Sequence, residues 1–102
     1  MESQRELYKQ KYQAQLSEWE AKISKLKANS EKLAAQAKID MKPKLDTVHE
    51  KFEAAKSQLQ ELTSATEDKV EEGAKAIDRT WQDLKAAVEG GFDAIKSHRP
   101  RN

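Results

Sequence analysis

The stretch "TWQDLKAAVEGGFDAIKS", Thr80 to Ser97, decides the fold class of this chain. Its large apolar side chains recur every three or four residues, which is the period of one face of an α-helix: Trp81, Leu84, Val88, Phe92 and Ile95. Two glycines, Gly90 and Gly91, interrupt this face, and each costs a helix about 1 kcal/mol relative to alanine. The stretch therefore predicts a helix whose last turns either admit close approach by another helix or are its least stable part.

The same spacing continues upstream as far as Tyr8, so one apolar seam follows the whole chain. All six aromatic residues lie on this seam, and no segment shows the alternation of a β-strand. Because a helix with one apolar face must bury that face, we predict an all-α fold, an antiparallel helical coiled coil or three-helix bundle. The seam residues that we predict to carry packing or interaction are Trp19, Ile23, Leu26, Leu33, Phe52, Leu59, Leu62, Trp81, Leu84, Val88 and Phe92.

Two breaks are expected in this helical pattern. Pro43 in "KIDMKPKLD" would cost about 3 kcal/mol inside a helix, so we place the first break near it. The second break falls at Thr63–Thr66 in "LTSATEDK", where Ser64 and Glu67 have the spacing of a capping box. We predict a single helical domain over residues 1–102, with helices at about 3–40, 44–63 and 66–97 and a basic tail at 98–102.

Pro43 leaves two packings open. In the first, three helices fold back on one another as a small antiparallel bundle. In the second, Pro43 only bends a long first helix, and the last helix packs on its second half. The first half of the seam then has no partner within the chain and drives self-association.

Composition excludes several classes of protein. The 102 residues include no cysteine, which excludes disulfides, thiol catalysis and cysteine-ligated zinc. No stretch reaches the roughly 20 consecutive apolar residues of a membrane-spanning helix, and the N-terminal part has no apolar run of a secretory signal. We therefore expect a soluble, cytoplasmic protein.

Charge is distributed unevenly along the chain. Residues 1–44 contain ten Lys or Arg against six Asp or Glu, whereas residues 66–97 contain five against eight. This segregation predicts that the two segments pair, within one chain or between chains. The acidic residues among the lysines argue against a nucleic-acid partner, and the negative charge of 66–97 argues against an anionic membrane. A neutral lipid surface stays open as a partner.

The sequence predicts no catalytic residue, no metal site and no cofactor. Asp46 and His49 have the spacing of a carboxylate-bridged metal site on a helix, but such sites need further ligands from other helices. The other histidine, His98, lies in the predicted tail. No serine, threonine or glycine occurs in the arrangement of a hydrolase nucleophile or a phosphate-binding loop. We therefore expect a protein that is not an enzyme.

Two blocks resemble a family of small bacterial proteins known as coiled-coil domain-containing proteins. The first is "YKQKYQAQLSEWEAKISKLKA", residues 8–28, and the second is "TWQDLKAAVEGGFDAIK", residues 80–96. The resemblance implies an all-helical coiled coil in a bacterial cytoplasm, without an assigned activity. Trp19 in the first helix and Trp81 in the last also give an architectural analogy to spectrin-type three-helix repeats.

These observations lead to two functional hypotheses. The first is a helical interaction or scaffold protein that acts by self-association, as a homo-oligomer, or by pairing with another coiled-coil protein. The alternative is an amphipathic-helix coat protein that binds lipid, a granule or another hydrophobic surface.

Overall fold

A computed structural model describes residues 3–97. Within that range the chain forms three long helices, α1 (Gln4–Glu31), α2 (Ala35–Thr63) and α3 (Val70–Ser97), and a short 3₁₀ helix (Glu67–Lys69) precedes the last of them. These helices pack against one another and the described residues contain no strand, so the all-α three-helix prediction is confirmed. The predicted basic tail, residues 98–102, lies outside the described residues.

The helices run up, down and up in an elongated bundle of 57 × 21 × 15 Å. Tyr12 of α1 contacts Asp78 of α3, and further along both helices Leu26 lies against Gly91, so α1 and α3 run in the same direction. Leu62, near the end of α2, lies against Gly73, near the start of α3, as expected for antiparallel neighbours. Short connections therefore join antiparallel helices, as in other small bundles.

The predicted second break is confirmed. Helix α2 ends at Thr63, and Thr66 has the extended backbone of an N-cap before the 3₁₀ helix. Ser64 is the C-cap of α2, so the predicted capping box at Ser64 and Glu67 is wrong. Arg5 of α1 donates a hydrogen bond of 2.8 Å to the carbonyl of Ala65, which attaches the start of α1 to this connection.

The predicted first break near Pro43 is wrong. Pro43 lies inside α2, and the chain turns at residues 32–34, about three helical turns earlier. Pro43 is exposed, so water can reach the carbonyl of Ile39 that the missing N–H leaves without a helical partner. Asn29 and Ser30 precede the actual turn, and the Ser30 hydroxyl donates to the carbonyl of Lys27 at 2.7 Å, a bond of the kind that competes with the helical backbone.

One core fills the space between the helices, and it follows the predicted seam. Helix α3 buries residues at regular steps of four and three: Val70, Ala74, Ile77, Trp81, Leu84, Val88, Gly91 and Ile95. Helix α2 buries six residues, whereas α1 buries only Tyr12, Leu26 and Ser30. The most extensive interface joins α2 and α3. The α2–α3 hairpin therefore supplies most of the core, and α1 covers it.

Candidate functional site

A row of four aromatic side chains lies between α1 and α3. Tyr8 stacks on Tyr12 with ring centroids 6.0 Å apart, and the edge of Tyr12 meets Trp81 at 6.3 Å. Trp19 lies at the other side of Trp81, with a centroid distance of 6.5 Å. Aromatic pairs in this range contribute about 0.5–1.5 kcal/mol beyond the burial of their area. The row therefore holds α1 against α3.

Polar atoms within this row are paired. The Tyr12 hydroxyl donates to a carboxylate oxygen of Asp78 at 2.8 Å and lies 3.2 Å from the carbonyl of Ala74. Burial of the hydroxyl raises the pKa of Tyr12 well above its ordinary value, and the hydrogen bond and negative charge of Asp78 add to this shift. The indole N–H of Trp81 donates to the side-chain carbonyl of Gln15. These bonds fix the register of α1 on α3.

Next to Trp81 the interface opens into a groove of about 640 Å³, which we call the α1–α3 groove. Its apolar floor consists of Trp19, Trp81, Val88 and Phe92. Within this floor Trp81 and Val88 are buried, whereas Trp19 and Phe92 are only half-buried. The volume falls within the range of about 300–1,000 Å³ that is typical of ligand pockets. The groove thus presents two large aromatic side chains to an incoming ligand.

Charged side chains of both signs form the rim of the groove: Glu18, Lys22 and Lys25 from α1, and Lys85 and Glu89 from α3. Within residues 3–97, none of these five joins an ion pair with a nitrogen–oxygen distance of 4.0 Å or less. The ammonium group of Lys22 lies 4.7 Å from the centroid of the Trp19 ring. An apolar centre within a charged, exposed rim is the usual anatomy of a protein interface.

The predicted pairing of the basic and acidic segments is absent between α1 and α3 in the described part of the chain. Over residues 3–97, the ion pair between different helices joins Lys51 of α2 to Asp83 of α3, at 3.7 Å. Both side chains are exposed, so this pair contributes little to stability. The rim charges of the groove are therefore available to a partner.

Gly91 accounts for the position of Phe92 in the groove. The regular burial pattern of α3 passes through Gly91, and Phe92 lies beside it at the margin of the core. A Cβ at Gly91 would lie 2.9 Å from a methyl carbon of Leu26, so the Leu26 side chain would have to shift to admit a larger residue. The predicted seam includes Phe92, although the same steps of four and three from Leu84 lead to Gly91.

The structure divides the predicted interaction seam into two groups. Six of its residues lie in the core of the single chain: Leu26, Leu59, Leu62, Trp81, Leu84 and Val88. Five are partly buried and pack at its margin: Trp19, Ile23, Leu33, Phe52 and Phe92. The groove brings together Trp19, Trp81, Val88 and Phe92. The role of the seam residues in contact with a partner stays a prediction.

Potential metal ligands do not cluster in the part of the chain that the structure describes. Residues 3–97 contain no group of three or more His, Cys, Asp or Glu side chains that could hold a metal ion. Asp46, which has helical spacing to His49, instead pairs with Lys42 at 3.5 Å. Asp46, His49 and several lysines line a second groove of about 400 Å³ between α1 and α2. Its walls are mostly charged and contain no Phe, Tyr or Trp side chain.

No helix among residues 3–97 has the length and apolar character needed to cross a membrane. Comparison with protein-family models, with curated proteins and with solved structures finds no match for this chain. The resemblance to bacterial coiled-coil domain-containing proteins therefore stays a prediction.

Proposed function

We propose that this chain is a non-enzymatic helical interaction protein, which binds an amphipathic helix in the α1–α3 groove. The observation that carries the proposal is the pair of half-buried aromatic residues, Trp19 and Phe92, on an apolar floor. Two other large apolar residues, Leu7 and Ile39, are more exposed, but they lie near opposite ends of the bundle. Of these apolar residues, only Trp19 and Phe92 share one concave surface.

A helix is the ligand that suits this groove best. Two parallel helices, α1 and α3, form its walls. A helix from a partner, laid between them, places side chains at i, i+3 and i+4 along the floor. Large aromatic residues at the centre of an interface commonly carry most of its binding energy. The rim charges without an ion pair include Lys25 on one wall and Glu89 on the other. These charges then select the orientation of the incoming helix.

The incoming helix belongs to another coiled-coil protein or to a second copy of this chain. Geometry favours the first source, because a symmetric dimer built on the groove would place two identical concave surfaces face to face. Such surfaces leave empty volume between them, whereas the convex face of a single helix fills the groove. Light scattering of the wild type and of Phe92→Gln over a range of protein concentrations distinguishes the two sources, because only self-association through the groove depends on Phe92.

The proposal is tested with a synthetic amphipathic peptide that has leucine at i and i+4 and both lysine and glutamate on its polar face. We expect the wild-type protein to bind this peptide, with a change in tryptophan emission and a measurable heat in titration calorimetry. Phe92→Gln should weaken binding at least about tenfold, equivalent to about 1.4 kcal/mol. Phe52→Gln is the matched control, because Phe52 is also half-buried but lies outside the groove.

Two outcomes would contradict the proposal. One is a wild-type protein that does not bind the peptide while it remains folded. The other is an equal loss of affinity in Phe92→Gln and Phe52→Gln, which would indicate a general effect on folding. Thermal unfolding of both variants, followed by circular dichroism, shows that they are folded under the conditions of the titration.

A surface-coating function is the second candidate, and the amphipathic character of α3 favours it. Its buried residues form one apolar face from Val70 to Ile95, and a lipid or granule surface could bind that face if the bundle opened. A neutral-lipid emulsion should then abolish the cooperative thermal transition and shift the emission of Trp81. An unchanged transition in the presence of the emulsion would exclude this candidate.

A further inference from the structure

The turn between α1 and α2 is built only from residues that suit a helix. It consists of Lys32, Leu33 and Ala34 and contains no glycine or proline. No residue from 3 to 97, in this turn or elsewhere, has a positive φ. Lys32 keeps nearly helical dihedral angles, with φ −83° and ψ −6°, whereas Ala34 is extended, with φ −64° and ψ 158°. Few backbone rotations therefore separate this turn from a continuous helix.

The turn has backbone hydrogen bonds from Lys32 to Asn29 and from Leu33 to Ser30, but it has no side-chain cap at the start of α2. Ala34 is the N-cap of α2 and forms no side-chain capping hydrogen bond, although Ser, Thr, Asp or Asn is the usual residue there. A continuous helix would also pair the last carbonyl groups of α1 with the first amide groups of α2, which the turn leaves outside the helical hydrogen-bond ladder. The sequence pattern likewise predicts a helix through residues 32–34. Packing of α1 on α2 and α3 therefore adds to these short-range hydrogen bonds in keeping the turn closed.

Of the three long helices, α1 also contributes the fewest buried residues to the core. It buries three residues, whereas α2 buries six and α3 buries eight. Trp19 and Ile23, near its middle, lie at the margin of the core. Separation of α1 therefore leaves the larger α2–α3 interface in place, and it exposes the apolar surface that α1 covers.

We infer that two copies of this chain exchange α1 and form a domain-swapped dimer. Residues 32–34 straighten in each copy, so that α1 and α2 become one helix, and α1 packs on the hairpin of the other copy. Tyr12 then bonds Asp78 of the partner subunit, and Leu26 lies against Gly91 of the partner subunit, with the geometry that the single chain has now. The dimer keeps the contacts of α1 and gains the hydrogen bonds of the straightened segment.

The dimer has a consequence for binding. Each α1–α3 groove would consist of α1 from one copy and α3 from the other, so one elongated particle carries two grooves at a fixed separation. The two long helices would cross near the straightened segment, where several side chains are small, so the helices could approach each other closely. These small residues include Ala34, Ala35 and Ala37. The exchange goes beyond binding of a helix in the groove and does not depend on it. A particle with two grooves would bind a two-site partner with avidity.

The test begins with refolding of the full chain from urea at increasing protein concentration. Monomer and dimer are separated by size-exclusion chromatography and identified by light scattering. The dimer is then prepared from an equal mixture of isotope-labelled and unlabelled chains, and isotope-filtered NMR detects contacts between different chains. We expect contacts between Leu26 and Gly91 of different chains in the dimer fraction and none in the monomer fraction.

A proline variant tests the turn itself. Ala35 is the first residue of α2, a position that suits proline, and a proline there disfavours a helical conformation at Ala34. Ala35→Pro should therefore lower the dimer fraction at least tenfold while the monomer keeps its thermal transition. Glu67→Pro is the matched control, because it places proline directly after the other N-cap, Thr66, and should leave the dimer fraction unchanged.

Three outcomes would overturn the inference. The first is a chain that stays monomeric at every concentration tested. The second is a dimer without contacts between Leu26 and Gly91 of different chains, which would indicate association without exchange. The third is an equal dimer fraction in Ala35→Pro and wild type. None of them bears on peptide binding in the groove, so failure of the exchange and failure of the proposed function are separate results.

Discussion

Gly91 of α3 lies so close to Leu26 of α1 that a Cβ at Gly91 would be 2.9 Å from one methyl carbon and 3.2 Å from the other. Leu26 is fully buried, so its side chain has little room to move away. Gly90, the neighbouring glycine, has no atom within 4 Å of the corresponding position. Two adjacent glycines in one helix thus have different environments, and only Gly91 is needed for packing.

Alanine substitutions at these two glycines should change stability in opposite directions. Gly90→Ala should stabilise the fold by about 0.5–1 kcal/mol, because alanine favours a helix and meets open space here. Gly91→Ala should destabilise it by about 1–3 kcal/mol through overpacking against Leu26. Urea denaturation followed by circular dichroism measures both. Equal effects of the two substitutions would contradict the close packing at Gly91.

Pro43→Ala should increase the free energy of unfolding by about 1–3 kcal/mol. Alanine restores the N–H that bonds the carbonyl of Ile39, although the variant loses the restriction that proline imposes on the unfolded chain. Lys44→Ala is the control at the next exposed position, where we expect a change of at most about 0.5 kcal/mol. A decrease in stability on replacing Pro43 would mean that the packing of α2 depends on this proline.

Trp81→Ala should cost about 3–5 kcal/mol, the usual range for removal of a buried aromatic side chain. Trp81 is 8% exposed, contacts two aromatic rings and donates to Gln15. Trp19→Ala should cost less, because Trp19 is half-buried at the edge of the groove. Thermal and urea unfolding of the two variants compare the costs. A larger loss for Trp19 would place the centre of the α1–α3 interface elsewhere.

Tyr12→Phe should lower stability by about 1–2 kcal/mol, because it removes the hydrogen bonds to Asp78 and Ala74. It should also change the pH dependence. Since the pKa of Tyr12 is raised in the folded protein, its contribution is fully present below the ordinary tyrosine pKa of about 10 and is lost as the pH rises further.

The measurement for this pH effect is the free energy of unfolding at about pH 8 and about pH 11, on either side of the ordinary tyrosine pKa. The wild-type protein should lose more stability between these values than Tyr12→Phe does. The two proteins differ only at residue 12, so the difference between their losses isolates the Tyr12 hydroxyl. Parallel losses in the two proteins would rule out a buried, paired hydroxyl at this position.

Much of the fold follows from local pattern. The seam from Tyr8 to Ile95 predicts three helices with one apolar face each, and the structure buries or partly buries these positions, except Thr66 in the connection before α3. Thr63 and Thr66 also bracket the second connection, because clustered threonine and serine side chains compete with helical hydrogen bonds. The candidate groove is only partly predictable: Trp19 and Phe92 belong to the seam, but their exposure depends on how far apart α1 and α3 lie.

The sequence by itself determined the helical class, the apolar seam and the break after Thr63, because these depend on residue period and on local competition for backbone hydrogen bonds. Tertiary structure decided the turn at residues 32–34, the helical position of Pro43 and the burial of Gly91 in place of Phe92. The reason is that packing free energy between helices exceeds local propensity. A turn of good helix formers persists where α1 packs on its neighbours, and a proline is tolerated where its face of the helix meets water.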